Sequence, residues 1–387
     1  MGKIVFLVIY FGELPWYFNY FYKSCVDNQT VDFIFIGDNF ELLPNSDNIK
    51  KIQFTIENFN YLASSKLKMS INIKSGYKVC DFRPAFGDIF SDYIINYDFW
   101  CICDVDVILG NIRGFLTKEI LDEYDYISVR PEYPTGFMSI FRNCEKVNNL
   151  YKKSKFLKKV FLNNESFMFD ECAGCYSEVC AGQNILDVNC DIDSLHHLLE
   201  LEKDSITSLY EYFSIQNIPG NIRYYKGVLS YKGKYEILVY HLSDYKVNIH
   251  SKKVKINYMP EKFFINSYSF CKINFLMKNI NMIKDYYRYY KFSFGKKFDI
   301  LLLKILRNNQ VTLNDNIFSY MHKKILIQYP NKFVSLDTSL SGKIYKSFIF
   351  KDYFYFEGLN KFSYFTNNGI CFIEKNGNVI FFKKETK

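Results

Sequence analysis

Asp104 and Asp106 sit inside an otherwise apolar run, YDFWCICDVDVILGNI at residues 97–112, with one valine between them. A carboxylate is rarely buried without a partner charge or a metal, so two of them at the end of a core strand need a reason. In an extended segment residues i and i+2 face the same way. Both carboxylates then converge on one point while Val105 turns into the core. Oxygen ligands of this kind suit a hard divalent cation, Mn2+ or Mg2+. Such an ion keeps positions for diphosphate oxygens and offsets charge as a phosphate-bearing group departs. Without an ion the like charges repel, and at least one pKa should rise. The bland alternative is a surface turn with two solvated aspartates, and so much flanking apolar sequence argues against it.

The elements that would position this pair can be read from the pattern. Lys3–Tyr10 is a buried strand, broken by Gly12 and Pro15, and Phe18–Cys25 is helical. Val31–Ile36 is a second strand with its turn at Gly37–Asn39, and Ile49–Phe54 a third. Asn58–Lys78 reads as helix with loop, and Cys80–Tyr93 as loop then helix. Phe99–Cys103 is the strand before the acidic pair, Asn111–Leu121 turns into a helix, and Tyr126–Arg130 is another strand. Short β-branched strands separated by helices predict α/β layering, with the ligand outside the carboxyl ends of the strands. Asp38 and the Asp104–Asp106 pair both fall at such ends. Beyond about residue 260 the texture changes to a basic aromatic stretch and then to apolar runs with hairpin turns such as LSGK, TNNG and EKNGN. The expected division is therefore a catalytic α/β domain over 1–260 and an α+β extension over 261–387.

The 387 residues are 49% apolar and carry a formal charge of +8, enough for a sizeable core and suited to an anionic partner. The apolar run near the N-terminus is too short to span a bilayer and lacks a small-residue cleavage site. The eleven cysteines form no obvious disulfide framework, and the expectation is a cytoplasmic protein with mostly reduced thiols.

The block KVCDFRPAFGDIFSDYIINYDFWCICDVDVILGNIRGFL, residues 78–116, resembles bacterial glycosyltransferases of the GT-A type. More narrowly it resembles a DxD-containing group found with surface-polysaccharide and lipopolysaccharide synthesis genes. IVFLVIYFGELPWYFNYFYKSC and FIFIGDN fit the same group, and the resemblance covers about residues 3–250. It implies a Rossmann-like mixed sheet flanked by helices. It also implies transfer of a sugar from a nucleotide sugar, UDP-linked by preference, to a hydroxyl of a glycan or lipid-linked acceptor. Tyr10, Phe11 and Gly12 would line the nucleotide pocket and Asp38 would contact the base. Asp104 and Asp106 would bind the metal and donor diphosphate, and His241, with His250 as competitor, would complete the metal shell.

Other residues have two readings. Arg83, with Asp81 in CDFRPAFGD, either clamps a donor phosphate with its rigid fork or ties the loop to the helix through an Arg–Asp pair. Asp170 or Glu171 in SFMFDECAG, Glu171 by preference, supplies the base an inverting transferase needs; a helix-capping or surface acid is the alternative. Arg142 is a phosphate ligand or the charged end of an ordinary strand. Cys172, Cys175, Cys180 and Cys190, with His196 and His197, lack the paired spacing of structural zinc and read as scattered thiols. The stretch MIKDYYRYYKFSFGKKF, residues 282–298, suits peripheral contact with an anionic membrane surface better than base stacking, and no nucleic acid is expected. A nucleotidyltransferase acting on a sugar phosphate shares the carboxylate pair, but YFGELPW lacks the glycine-rich basic loop such enzymes carry. A non-catalytic nucleic-acid-binding protein finds no support in the first 250 residues.

Overall fold

The computed structural model describes residues 2–217, 220–248, 251–267 and 269–271, the helical positions 283 and 287, and individual strands beyond residue 309. The chain divides into two compact units, residues 1–247 with 251–278, and residues 248–250 with 279–387. His250 and most of 272–309, including the basic aromatic stretch apart from Ile283 and Tyr287, lie outside the described residues.

The first unit is built on a seven-stranded mixed sheet. Its strands are β1 (Ile4–Tyr10), β2 (Asp32–Gly37), β3 (Ile49–Gln53), β4 (Phe99–Cys103), β6 (Tyr126–Ser128), β7 (Met138–Arg142) and β8 (Ser208–Tyr210), β5 (Val107–Leu109) lying outside it. Their order is β3-β2-β1-β4-β7-β6-β8. The pairs β1–β2, β2–β3, β1–β4 and β6–β8 are parallel, whereas β7 runs antiparallel to both β4 and β6. The chain leaves β1 for β2 on one side and later returns to β4 on the other. The carboxyl ends of β1 and β4 therefore flank the point where strand order reverses, the crevice where open α/β sheets take their ligands.

The apolar runs explain the layering. Ile4, Phe6 and Val8 of β1 pack into one core cluster, and Val5 and Leu7 into another. Phe99, Cys101 and Cys103 of β4 likewise separate from Trp100 and Ile102. Alternate residues face opposite sides, and both sides are covered, so these strands read as continuous apolar sequence. α1 (Phe18–Val26) and α2 (Ile56–Leu67) supply helical cover on opposite faces. α2 begins at Thr55, whose side chain accepts from the Asn58 amide while Asn58 reciprocates, a capping box that satisfies two free amides. Residues Gly76–Ala85 then form 3-10 turns.

Two smaller sheets complete the unit. β9 (Ser214–Ile215), β13 (Val239–His241) and β5 form one. β10 (Ile222–Tyr225), β11 (Val228–Tyr231), β12 (Tyr235–Glu236), β14 (Lys262–Ile265) and β15 (Phe270–Cys271) form the other, in the order β12-β11-β10-β14-β15. Its pairing of β14 with β10 carries this sheet past residue 260. In the second unit, strands from Gln310–Leu313 to Val379–Lys383 pair antiparallel into a five-stranded and a four-stranded sheet. Among the described residues no helix is long and apolar enough to cross a membrane.

Candidate functional site

The site assembles at the carboxyl ends of β1 and β4. After β4 the backbone is held by the Asp104 amide, which donates to the Phe137 carbonyl at 2.9 Å. Residues 105 and 106 form a turn, a correction to the expected extended geometry. Val105 is nonetheless buried, as expected. The turn arises because β5, which follows at once, pairs antiparallel with β13, placing His241 opposite Val107. The Leu242 amide donates to the Asp106 carbonyl at 2.8 Å. This register brings His241 Nε2 to 3.4 Å from Asp106 Oδ2, and the imidazole stacks on Phe137 with ring centroids 4.2 Å apart. His241 Nδ1 is buried without a hydrogen-bond partner.

Each carboxylate also carries a basic partner. Arg83 donates through Nη2 to Asp104 and through Nη1 to Asp170, the latter at 2.8 Å. Lys246, on the short helix Ser243–Val247, donates to Asp106. Lys246 went unpredicted, as did Tyr17. The Asp106 side chain is 5% exposed and that of Asp104 32%. Burial disfavours the charged form of Asp106, but its bonds to His241 and Lys246 outweigh that and hold its carboxyl well below the usual range. Asp104 is raised, by burial first and by the neighbouring Asp106 charge, with Arg83 opposing. Tyr10 and Tyr17 are raised by burial, with Asp106 adding to each, which places both hydroxyls in the field of the same carboxylate.

The remaining predicted residues divide. Gly12 has φ +108°, a conformation favouring glycine, and its amide donates to Asp38 Oδ1 at 2.9 Å. Asn39 donates to both Gly12 O and Asp38 Oδ1, so Asp38 fixes the loop after β1. Phe11 packs at the edge of a core cluster and lies against Gly76. Asp81 is a correction: it is fully buried and does not reach the crevice. Its oxygens accept from the amides of Phe167 and Phe169 at 2.9 Å and from Lys78 at 2.8 Å, so it anchors the segment leading to Asp170. Arg142 fits the second of its two readings, the charged end of a strand: its guanidinium bonds Asp125 Oδ1 and the carbonyls of Leu121 and Tyr124 and lies over Phe99.

Asp170 and Glu171 both reach the site. Glu171 accepts from the Gly136 amide at 2.8 Å and from the Tyr176 hydroxyl. Gly136 is required by close approach, since a Cβ there would lie 2.5 Å from Asp170 Oδ2 and 2.6 Å from Arg83 Nη1. Burial pushes the Asp170 carboxyl up to about 8; Arg83 opposes the shift, while Glu171 and Asp81 add to it. The cysteines correct the expectation of scattered thiols in one respect. Cys175 and Cys190 form a disulfide with Cα atoms 6.8 Å apart, while Cys172 is buried and Cys180 exposed.

As a donor set, two carboxylates and an imidazole suit Mn2+ or Mg2+. In the observed arrangement Arg83 and Lys246 take up the carboxylates, and among the described residues no group of three or more His, Cys, Asp or Glu side chains stands ready to hold an ion.

DUF6625, a family of unknown function, matches residues 6–274. No curated protein matches the chain. Among solved structures it is similar to the galactosyltransferase LgtC in complex with donor and acceptor sugar analogues, at 13% identity and a TM-score of 0.30 over 55% of this chain and 75% of that one. It is also similar to mouse xyloside xylosyltransferase 1 in its apo form, at 10% identity and a TM-score of 0.32 over 55% of this chain and 87% of that one. Likenesses this weak decide nothing about chemistry.

Proposed function

We propose a function for this chain, which belongs to DUF6625, a family of unknown function, on the chemistry of its own residues. It is a metal-dependent glycosyltransferase that moves a sugar from a nucleoside-diphosphate sugar to a hydroxyl of a glycan or lipid-linked oligosaccharide. The observation carrying this reading is the gathering of Asp104, Asp106 and His241 with two basic side chains, Arg83 and Lys246, beside the crevice at the sheet's reversal point.

In this reading Asp104, Asp106 and His241, once released from Arg83 and Lys246, would hold Mn2+ or Mg2+, which would supply charge compensation for the departing nucleoside diphosphate. Lys246 keeps Asp106 ionised while no ion is held there; released, its ammonium is a diphosphate partner. Tyr10, Phe11 and Gly12 line the nucleotide side, with Asp38 holding the Gly12 amide. Arg83 orients Asp104 and Asp170 together through its two nitrogens. Asp170 is buried and already receives Arg83 Nη1 at 2.8 Å, which ties it to Arg83 and leaves it less free than Glu171 to act as the base. Glu171, fixed by the Gly136 amide and Tyr176, is the group to accept the acceptor's proton.

Calorimetry with UDP and GDP, with and without Mn2+, on wild type and Asp106→Ala tests this. Mn2+-dependent binding of one nucleotide that disappears in the variant is expected. A folded wild-type protein that binds neither nucleotide, nor CMP, with Mn2+ present refutes it.

A further inference from the structure

A cavity of about 430 Å³ lies apart from the carboxylate cluster, and none of Arg83, Asp104, Asp106, Asp170, His241 or Lys246 lines it. Its walls include Pro131, Glu132, Gln183, His196, Glu200 and Tyr210. This volume is within the roughly 300–1,000 Å³ of small-molecule sites. One wall is the loop between Cys175 and Cys190, closed by the disulfide.

His196 and Tyr210 both line the cavity, their rings 5.9 Å apart, while His196 Nδ1 and the Tyr210 hydroxyl are themselves buried behind that wall. The lining contains two glutamates and no lysine or arginine, which disfavours phosphates and other anions. Amides and carboxylates mixed with Pro131, Ile185 and the Tyr210 ring suit a molecule with both C–H faces and hydroxyl edges.

Two short tethers join the cavity to Glu171. Tyr176 bonds Glu171, and Val179, three residues on and about 5 Å along the helix, lines the cavity. Gly136 bonds Glu171, and Pro131 and Glu132 of the same loop line the cavity.

We infer that this cavity is a second saccharide subsite, which holds an uncharged sugar unit of the acceptor glycan beyond the unit that reacts. The acceptor role rests on the transferase reading; the saccharide binding does not.

The test is saturation-transfer NMR on the full chain with lactose, maltose and N,N′-diacetylchitobiose, and with spermidine as a cationic control. At least one disaccharide shows transfer. Gln183→Trp, at an exposed rim position, abolishes it. Asp106→Ala leaves the transfer intact, and Gln183→Trp leaves Mn2+-dependent UDP binding intact. No transfer from any of the three disaccharides, transfer that survives Gln183→Trp, or transfer from spermidine alone overturns the inference. Disaccharide binding that depends on Gln183, in a protein that binds no nucleotide, upholds the subsite and refutes the transferase reading.

Discussion

Lys78 and Asp81 are 1% and 0% exposed, and their ion pair is the most buried one among the described residues. Lys78 Nζ donates to Asp81 at 2.8 Å and to the carbonyls of Val160 and Glu165 at 2.6 Å. Asp81 in turn receives the amides of Phe167 and Phe169. Lys78→Met keeps the bulk of the chain but strands the Asp81 carboxylate and two carbonyls. Breaking one side of a buried pair costs about 3–5 kcal/mol, a large share of the roughly 5–15 kcal/mol that holds a typical domain together. Both tryptophans, Trp16 and Trp100, lie in the first unit, so urea unfolding followed by tryptophan fluorescence reports that unit alone. The variant should lose about 3–5 kcal/mol. Lys78→Met combined with Asp81→Asn should lose less than the two single variants summed, because no lone charge remains buried. A loss under about 1 kcal/mol for Lys78→Met would put the pair in water, and the anchoring of the 165–171 segment by Asp81 would fall with it.

His196 is lowered from its usual value to about 4, by burial first and by His197 second. Its contribution to stability is therefore complete above about pH 6.5 and is lost as pH falls toward 4. The loss approaches about 3 kcal/mol, and urea titrations across this range should be flatter for His196→Gln than for wild type. If Asp106 holds a metal as proposed, Lys246→Met removes the ammonium that the ion would have to displace. Mn2+ titrated without nucleotide should then bind about fivefold tighter, the equivalent of a half-exposed pair worth about 1 kcal/mol. Unchanged or weaker Mn2+ binding refutes that competition. Gly136→Ala forces a Cβ against Asp170 and Arg83 and should cost about 1–3 kcal/mol, with nucleotide binding falling alongside stability in the same calorimetric assay.

The parts of the fold that were legible in sequence are those with local causes. Residues 4–8 and 99–103 are apolar at every position because both faces of the sheet are covered, so the strands announced themselves. Asp104 and Asp106 stood out because carboxylates do not belong in such a run. Their geometry did not show, because the turn at 105–106 is set by pairing between Val107 and His241, far apart in sequence. Lys246 was missed for the same reason: five residues after His241 in HLSDYK, it looks like an ordinary surface lysine until β13 docks on β5. Asp81 was misplaced although a signal existed. Lys78 and Asp81 are three apart, which puts them on one side of a 3-10 turn, and that spacing favours an internal pair over two donor contacts.

The charges of the site explain why it tolerates two aspartates. Asp104, Asp106, Asp170 and Glu171 bring four carboxyl groups, and Arg83 and Lys246 bring two fixed cations. With every carboxyl ionised, two negative charges would remain uncompensated in a poorly hydrated crevice, where such an excess is costly. Burial raises Asp170 and Asp104, whereas Asp106, with both His241 and Lys246 beside it, is lowered. On the proposed reading, a site whose own cations fall short of its carboxylates has capacity for one more cation, and Lys246, released from Asp106, would be free to meet a diphosphate. On that reading the imbalance would make a metal and a diphosphate a better fit together than either alone. It also distinguishes this cluster from a structural network such as that of Asp125, where Arg142 and Lys146 fully offset one acid.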